Sequence, residues 1–447
     1  MTSKKDIDYK DLVEEKERQL KNLEKELSDL KKSNTWKIGL LVGTAVKQPF
    51  QIPRILVRLV RAVFRRIIPK SIRDGYENTK KRIYGYFGSK IYNKQLDKVL
   101  ATHPDVKGYV IFPPTVDWNM PLFQRPHQLA ISLGKQGYLF FYCTGNFKQD
   151  KIHGFKEVAK NVVVTNQAEL LQRLKKPTLF ISWANNESYT ELYDYGKLIY
   201  DYIDELDVFH LYGPELVEQH NRLMKNADLV VTTADKLYEE AISKRKCGVI
   251  LSPNAVDYPH FTKDSYVVPA EMKSILALDS PIIGYYGALA RWFDYDLLKK
   301  LAIERPHYQV VVIGPDYDST MHEHGLDKYK NIHLLGPKAY RDLPDYAHCL
   351  DVAIIPFKVN RITESTSPVK LFEYMAAGCA IVTTAMHECK KYKSVLIAKD
   401  GDDFVIKVDE AIKLKKDKKY QVQLEEDALN NTWDARVDQM LAALKKT

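Results

Sequence analysis

The stretch Thr366–Thr384, TSPVKLFEYMAAGCAIVTT, decides the reading of this chain. Ser367 is a residue type that caps helices, Pro368 suits a first helical position, and VKLFEYMAA continues at helical period. Gly378 supplies a stop, and AIVTT is a β-branched run of strand length. A helix starting there leaves backbone N–H groups and the positive end of its dipole at the entrance, and Lys370 adds a full charge in the first turn. That geometry suits a diphosphate. Glu373, about one and a half turns in, offers a carboxylate able to accept two hydrogen bonds from vicinal ribose hydroxyls.

Working outward, short apolar runs alternate with helical-period segments, the pattern of parallel sheets with crossover helices. The first half offers GYVIF (108–112), YLFFYC (138–143), NVVVT (161–165), LFISW (179–183), LIYDY (198–202), DLVVTT (228–233) and GVILS (248–252). PIIGYYG (281–287), YQVVVIG (308–314), NIHLLG (331–336), DVAIIPF (351–357), AIVTT (380–384) and VLIAK (395–399) repeat the scheme. The spacing predicts an α/β protein with two doubly wound domains, over 105–265 and 266–430, and a terminal helix over 431–447.

Ligands of such sheets bind beyond the carboxyl ends of the strands, so the strand-following loops are the place to look. After PIIGYYG, Gly287 allows backbone to approach a ligand, and Arg291 offers a guanidinium suited to phosphate oxygens. After NIHLLG, Gly336-Pro337-Lys338 makes a turn able to present amides to a flat ring. The DYD triplets at 294–296 and 316–318 have the Asp-x-Asp form of some metal sites, but the first opens a helix, where carboxylates are common. The histidines show no H-x-x-x-H or H-E-x-x-H spacing, so no metal site and no cofactor are expected.

Among 447 residues, 67 Lys+Arg stand against 58 Asp+Glu, and the surplus is local. Residues 1–100 hold 24 basic and 12 acidic side chains, whereas 101–447 hold 43 and 46. Tyr9, Val13, Leu20, Leu23, Leu27 and Leu30 follow coiled-coil spacing, interrupted by Lys16, so residues 1–33 read as a coiled-coil helix able to pair with a second copy through 7–32. Within the linker segment 34–104, PRILVRLVRAVFRRII (53–68) sets Arg54, Arg58, Arg61 and Arg65, with Arg66 beside them, against an apolar face. This basic amphipathic helix suits an anionic membrane surface; packing on its own protein is the alternative, and no neighbouring module suggests nucleic acid. Five scattered cysteines form no C-x-x-C pair and argue for a reducing compartment. MTSKKDIDYKDLVEEKE lacks the apolar core of a secretory signal, and Ile38–Val46 is too short to span a bilayer. A cytoplasmic protein, peripheral on the inner face of the cell membrane, is expected.

TSPVKLFEYMAAGCAIVTT, IIGYYGALARWFDYDLL, ILSPNAVDYPHF and NIHLLGPKAYRDLPDYAHCLDVAIIPF, together with FQRPHQLAISLGKQG and NADLVVTTADKLYEE, resemble the nucleotide-sugar glycosyltransferases of the GT-B fold. The likeness is to the retaining family-four type of bacterial surface-polysaccharide synthesis. It implies two Rossmann-like domains facing a cleft, a nucleotide-diphosphate sugar as donor, and a lipid-linked or growing saccharide as acceptor. The resemblance places the donor on Gly287, Ala288, Arg291, Gly336, Ser367, Pro368, Val369, Lys370, Leu371 and Glu373. It gives the catalytic roles to Asp204, Arg291 and Lys370, and the acceptor side to Arg125 and His127. Hexosyl transfer with retention, the leaving diphosphate helping to deprotonate the acceptor, is the implied chemistry. One departure concerns the sugar: the family often has two glutamates eight positions apart, and eight before Glu373 stands Ser365. The alternatives are a sugar-nucleotide epimerase of the same fold and a catalytically silent scaffold in an assembly complex.

Overall fold

The central apolar runs become strands that are flanked by turn residues and buried on both faces, as parallel sheets demand. The computed structural model describes residues 90–121, 123–206 and 213–447, and residues 92–447 form one compact unit. The expected coiled coil and the basic segment bearing Arg54, Arg58, Arg61, Arg65 and Arg66 lie outside the described residues.

The first sheet contains β1 (Tyr109–Phe112), β2 (Leu139–Cys143), β3 (Phe155–Ala159), β4 (Val162–Thr165), β5 (Thr178–Ile181), β6 (Lys197–Tyr202), β7 (Leu229–Thr232) and β8 (Val249–Leu251). Their order is β3-β4-β2-β1-β5-β6-β7-β8. All neighbours are parallel except β3 and β4. Strand β3, FKEVA, is an addition to the sequence reading. It is an edge strand with Lys156 and Glu157 exposed, so no apolar run announced it.

The second sheet contains β9 (Ile282–Tyr286), β10 (Gln309–Ile313), β11 (Ile332–Gly336), β12 (Val352–Ile355), β13 (Ala380–Thr384) and β14 (Val395–Ala398). Its order is β11-β10-β9-β12-β13-β14, parallel throughout. In both sheets the chain winds one way from a central strand and then returns to wind the other way. The central pairs share only two registered positions each, Val110↔Thr178 with Ile111↔Leu179 and Val352↔Ile283 with Ala353↔Gly284. The ladder stops early at each reversal, and a crevice opens beyond the carboxyl ends of the strands.

Helices α1 (Arg125–Lys135), α2 (Glu215–Asn226) and α3 (Asp235–Lys244) cover the first sheet. Helices α4 (Tyr295–Glu304), α5 (Val369–Ala376), α6 (Gly401–Leu414) and α7 (Lys418–Leu429) cover the second. Helix α8 (Trp433–Leu444) begins with Thr432 accepting from Ala435 N–H. Its Trp433, Val437 and Met440 join Leu129, Ala130 and Leu133 of α1 in the core under the first sheet. Full burial of side chains this size contributes roughly 1.5–3 kcal/mol each, which fastens the end of the chain to the first domain. Arg436 Nε donates to Pro253 carbonyl at 3.0 Å, so the same helix also grips the connector between the domains.

Candidate active site

The cleft is built first from backbone. β9 ends at Tyr286, and Gly287 follows at φ 142°, a conformation that excludes side chains. Its N–H donates to Ile313 carbonyl at 2.9 Å, and a Cβ at the facing Gly314 would lie 1.8 Å from Gly287 O. The two glycines let the ends of β9 and β10 touch. Tyr285 OH donates to Ala288 O at 2.8 Å and fixes the turn.

Helix α5 enters opposite this turn. Pro368 is its N-cap, in extended conformation, and no side chain caps the helix. This corrects the expectation for Ser367, whose Oγ accepts from Asn254 N–H at 3.2 Å while Asn254 Nδ2 donates to Ser367 O at 2.6 Å. The entrance of α5 therefore keeps its first amides free of side-chain partners, and Val369, Lys370 and Glu373 line the cleft. Leu371 does not join them: it is fully buried and its N–H bonds to Pro368 O. At the other end Gly378, φ 66°, closes a Schellman motif, with Gly378 N–H on Met375 O and Cys379 N–H on Tyr374 O.

Lys370 Nζ lies 4.9 Å above the Phe357 ring and 5.4 Å above Tyr285, with no carboxylate in salt-bridge range among the described residues. Burial pushes its pKa down to about 8, with Glu373 pulling the other way. Burial pushes the Glu373 carboxyl up to about 7, moderated by Tyr286 and Lys370. The cleft thus holds an aromatic-bedded cation and a desolvated carboxylate whose ionisation an anionic, hydroxyl-bearing ligand can set.

Across the cleft, Tyr340 stacks on His260 (4.5 Å, 17°) and on Phe123 (5.2 Å, 26°), and Gln128 Nε2 of α1 donates to Tyr340 OH at 2.8 Å. Pro337 and Lys338 continue the wall, Lys338 pairing with Glu271 at 2.5 Å. The cleft has a volume of about 240 Å³ and opens to solvent. Gly336 stands just behind the lining, at φ 67°, and accepts from Gly314 N–H.

Other sequence-predicted residues fall elsewhere. Arg291 is exposed; its N–H donates to Asp318 Oδ2 at 3.0 Å, and it does not line the cleft. Arg125, expected on the acceptor side, is 4% exposed and locked onto the fully buried Asp201 by contacts of 2.9–3.1 Å, with Pro253 O at 3.2 Å. His127 is also buried, among Trp118, Phe123 and Tyr142, with Nε2 3.1 Å from Asp117 O. Burial depresses its pKa, so it is neutral packing material. Asp204 lies in the loop after β6, lining a smaller hollow with Ser182, Trp183 and Asn185. Burial and the neighbouring Asp201 push its carboxyl up to about 7, against Arg125.

At Ser365, where the resembled family often has a glutamate, a carboxylate arrives instead from the loop after β6. Ser365 Oγ donates to Glu205, which also pairs with Lys236 at 2.6 Å and Arg361 at 3.1 Å. Beside it Asp235 of α3 meets His387 at 2.9 Å and Lys391 at 2.7 Å, and Asp235 N–H donates to Glu388 Oε1 at 2.9 Å. The carboxylates of Asp235 and Glu388 and the His387 ring lie close enough to hold a cation, but the Lys391 ammonium already sits 2.7 Å from both carboxylates. Sequence reasoning missed Glu205, Tyr286, Phe123 and Tyr340, because their roles arise from contacts between distant segments.

Two doubly wound sheets whose strand-following loops meet at a cleft define a protein of the GT-B architecture. Residues 280–413 match the family model described as Glycosyl transferases group 1. The chain is 25% identical over 232 residues to a Bacillus subtilis (strain 168) protein described as the teichuronic acid biosynthesis glycosyltransferase TuaH, covering 49% of this chain and 57% of that one. The match thus spans little more than half of that relative's length. Among solved structures, sucrose-phosphate synthase from Thermosynechococcus elongatus shares the fold at TM-score 0.57 and 14% identity, over 76% of this chain and 99% of that one. HepE of Anabaena in complex with UDP and glucose aligns at TM-score 0.54 and 14% identity, over 76% and 100%. An E. coli trehalose-6-phosphate structure bound with UDP-2-fluoro glucose aligns at TM-score 0.58 and 12% identity, over 76% and 99%.

Proposed function

We propose that the protein is a glycosyltransferase that moves a hexose from a nucleotide-diphosphate sugar to a lipid-linked or growing polysaccharide acceptor, with retention of configuration. The observation that carries this reading is Lys370, a cation without a carboxylate partner among the described residues, set at the uncapped entrance of α5 and against the Gly287 turn. Backbone amides and ammonium together suit the charge of a departing diphosphate, so the C1–O bond breaks as the acceptor oxygen bonds to C1. The acceptor proton passes to a diphosphate oxygen on the same face. Glu373 accepts from the nucleoside hydroxyls, and the Phe123–Tyr340 wall lies on the side toward the first domain. The bound UDP and glucose of the HepE structure and the TuaH description support this assignment.

Asp204, beyond β6, is assigned to the donor sugar, and the first domain, 105–265, to the acceptor. For the amino-terminal region, attachment to the inner face of the cell membrane through Arg54, Arg58, Arg61, Arg65 and Arg66 fits a lipid-linked acceptor, and residues 7–32 suit pairing with a second copy. Among the described residues no helix is long and apolar enough to cross a membrane. Labelled nucleotide sugars offered with and without a lipid-diphosphate saccharide test the activity. Label appearing in the lipid phase only with acceptor supports transfer; acceptor-free conversion of the donor sinks it. Replacing those five arginines by glutamate is expected to abolish sedimentation with anionic vesicles, and retained binding removes the membrane role.

A further inference from the structure

Asn254 follows β8 in the connector between the two sheets, and it reaches the mouth of α5. Its N–H donates to Ser367 Oγ at 3.2 Å and its Nδ2 to Ser367 O at 2.6 Å, so the residue just ahead of the α5 N-cap is gripped twice from 113 positions away in the chain. Asn254 is itself held from the side of the first sheet. Arg125, locked onto the buried Asp201, donates to Pro253 O at 3.2 Å and lies 3.4 Å from Asn254 Oδ1, while Arg436 of α8 donates to Pro253 O at 3.0 Å. Val369, the first residue of α5, packs with Ile250 against the core under the first sheet, whereas Leu371, Phe372, Tyr374 and Met375 belong to the core of the second. The entrance of α5 is therefore seated on the first sheet and its body on the second.

We infer that Asn254 is a positioning residue of the donor site, the clasp that holds the entrance of α5 so that its free amides and Lys370 meet the diphosphate. This rests on the donor site proposed above. No side chain caps α5, so its first turn takes its position from the residues ahead of it. Such placement is exacting, since a shift of about 1 Å can cost on the order of a hundred-fold in rate. Asparagine suits the task because one side chain donates to the Ser367 carbonyl and accepts from Arg125, which neither a carboxylate nor an apolar residue does. Lys370 registers the placement: its ammonium sits over the Phe357 and Tyr285 rings, and burial holds its pKa at about 8. A slackened entrance lets water reach the ammonium and returns that value toward its ordinary 10.5.

The test is calorimetric titration of the full-length protein and its Asn254→Ala and Ser367→Ala variants with UDP-glucose, GDP-mannose and ADP-glucose, at half-unit intervals from about pH 6 to about pH 9, alongside melting curves. Each variant is expected to bind the preferred nucleotide sugar roughly 3- to 10-fold more weakly at about pH 7.5, with the alkaline limb of binding displaced upward by about half a unit or more. The double variant should lose little more than Asn254→Ala alone, because both changes open one clasp. Ser367→Ala removes a single hydroxyl and carries the test if Asn254→Ala does not fold. Wild-type affinity with an unmoved limb in the variants overturns the inference and leaves the donor site standing. Weaker binding that keeps the wild-type alkaline limb assigns Asn254 to general stability and overturns it too. A wild type that binds none of the three nucleotide sugars, or binds them without an alkaline limb, takes down the donor site and the inference together.

Discussion

Donor binding should follow a bell-shaped pH profile set by two side chains of one helix. Lys370, with its pKa at about 8, must keep its proton to meet a diphosphate, and Glu373, at about 7, must lose its own to accept from hydroxyls. The fraction of protein holding both charges peaks at about pH 7.5 at roughly 0.6 and falls to roughly 0.1 at about pH 6 and about pH 9. Affinity for a nucleotide sugar, whose diphosphate diester does not titrate in that window, therefore drops about six-fold on each side. Titration calorimetry at half-unit intervals reads this directly. Lys370→Ala should weaken binding roughly ten-fold or more at the optimum and remove the alkaline limb, while Glu373→Gln should remove the acid limb. A flat profile, or an alkaline limb that survives Lys370→Ala, refutes the assignment of the two charges.

The raised pKa of Glu373 also bears on folding. A carboxyl lifted from 4.5 to about 7 stabilises the fold fully below about pH 4.5, and that contribution is lost as pH rises through about 7, about 3 kcal/mol in all. Glu373→Gln should accordingly raise the chemical-denaturation midpoint at about pH 8 while weakening donor binding; a lowered midpoint contradicts this. Arg125→Ala strands the buried Asp201 charge and should cost about 3–5 kcal/mol of stability, whereas an intact denaturation midpoint would return Arg125 to the acceptor side. Gly287→Ala places a Cβ 2.7 Å from Lys370 Cε at φ 142°, so a backbone penalty of about 1–3 kcal/mol and displacement of the ammonium should appear together, read by melting and by donor affinity.

How much was legible depended on how local the physics was. Runs such as YQVVVIG announce themselves because both faces of a parallel strand are buried, and FKEVA stays silent because an exposed edge strand needs no apolar run. Gly287, Lys370 and Glu373 were readable for the same reason: a turn, a helix entrance and a position one turn on are fixed by neighbours in sequence. Ser367 misled because the groups competing for its oxygen sit more than a hundred residues away, at Asn254. Arg125 and His127 looked like exposed chemistry, but sequence does not reveal that Asp201 and an aromatic nest enclose them. Glu205 meeting Ser365, and Phe123 meeting Tyr340, are contacts between segments more than 150 residues apart in sequence, which no local pattern announces.

The central claim is that α5 and the Gly287 turn hold a nucleotide-diphosphate sugar for transfer. Its most direct measurement is acceptor-dependent transfer from a labelled nucleotide sugar by the full-length protein, compared with Lys370→Ala and Glu373→Ala at matched folded concentration. The account predicts transfer by the wild type and a loss of at least about ten-fold in each variant. Transfer undiminished in both variants would contradict it.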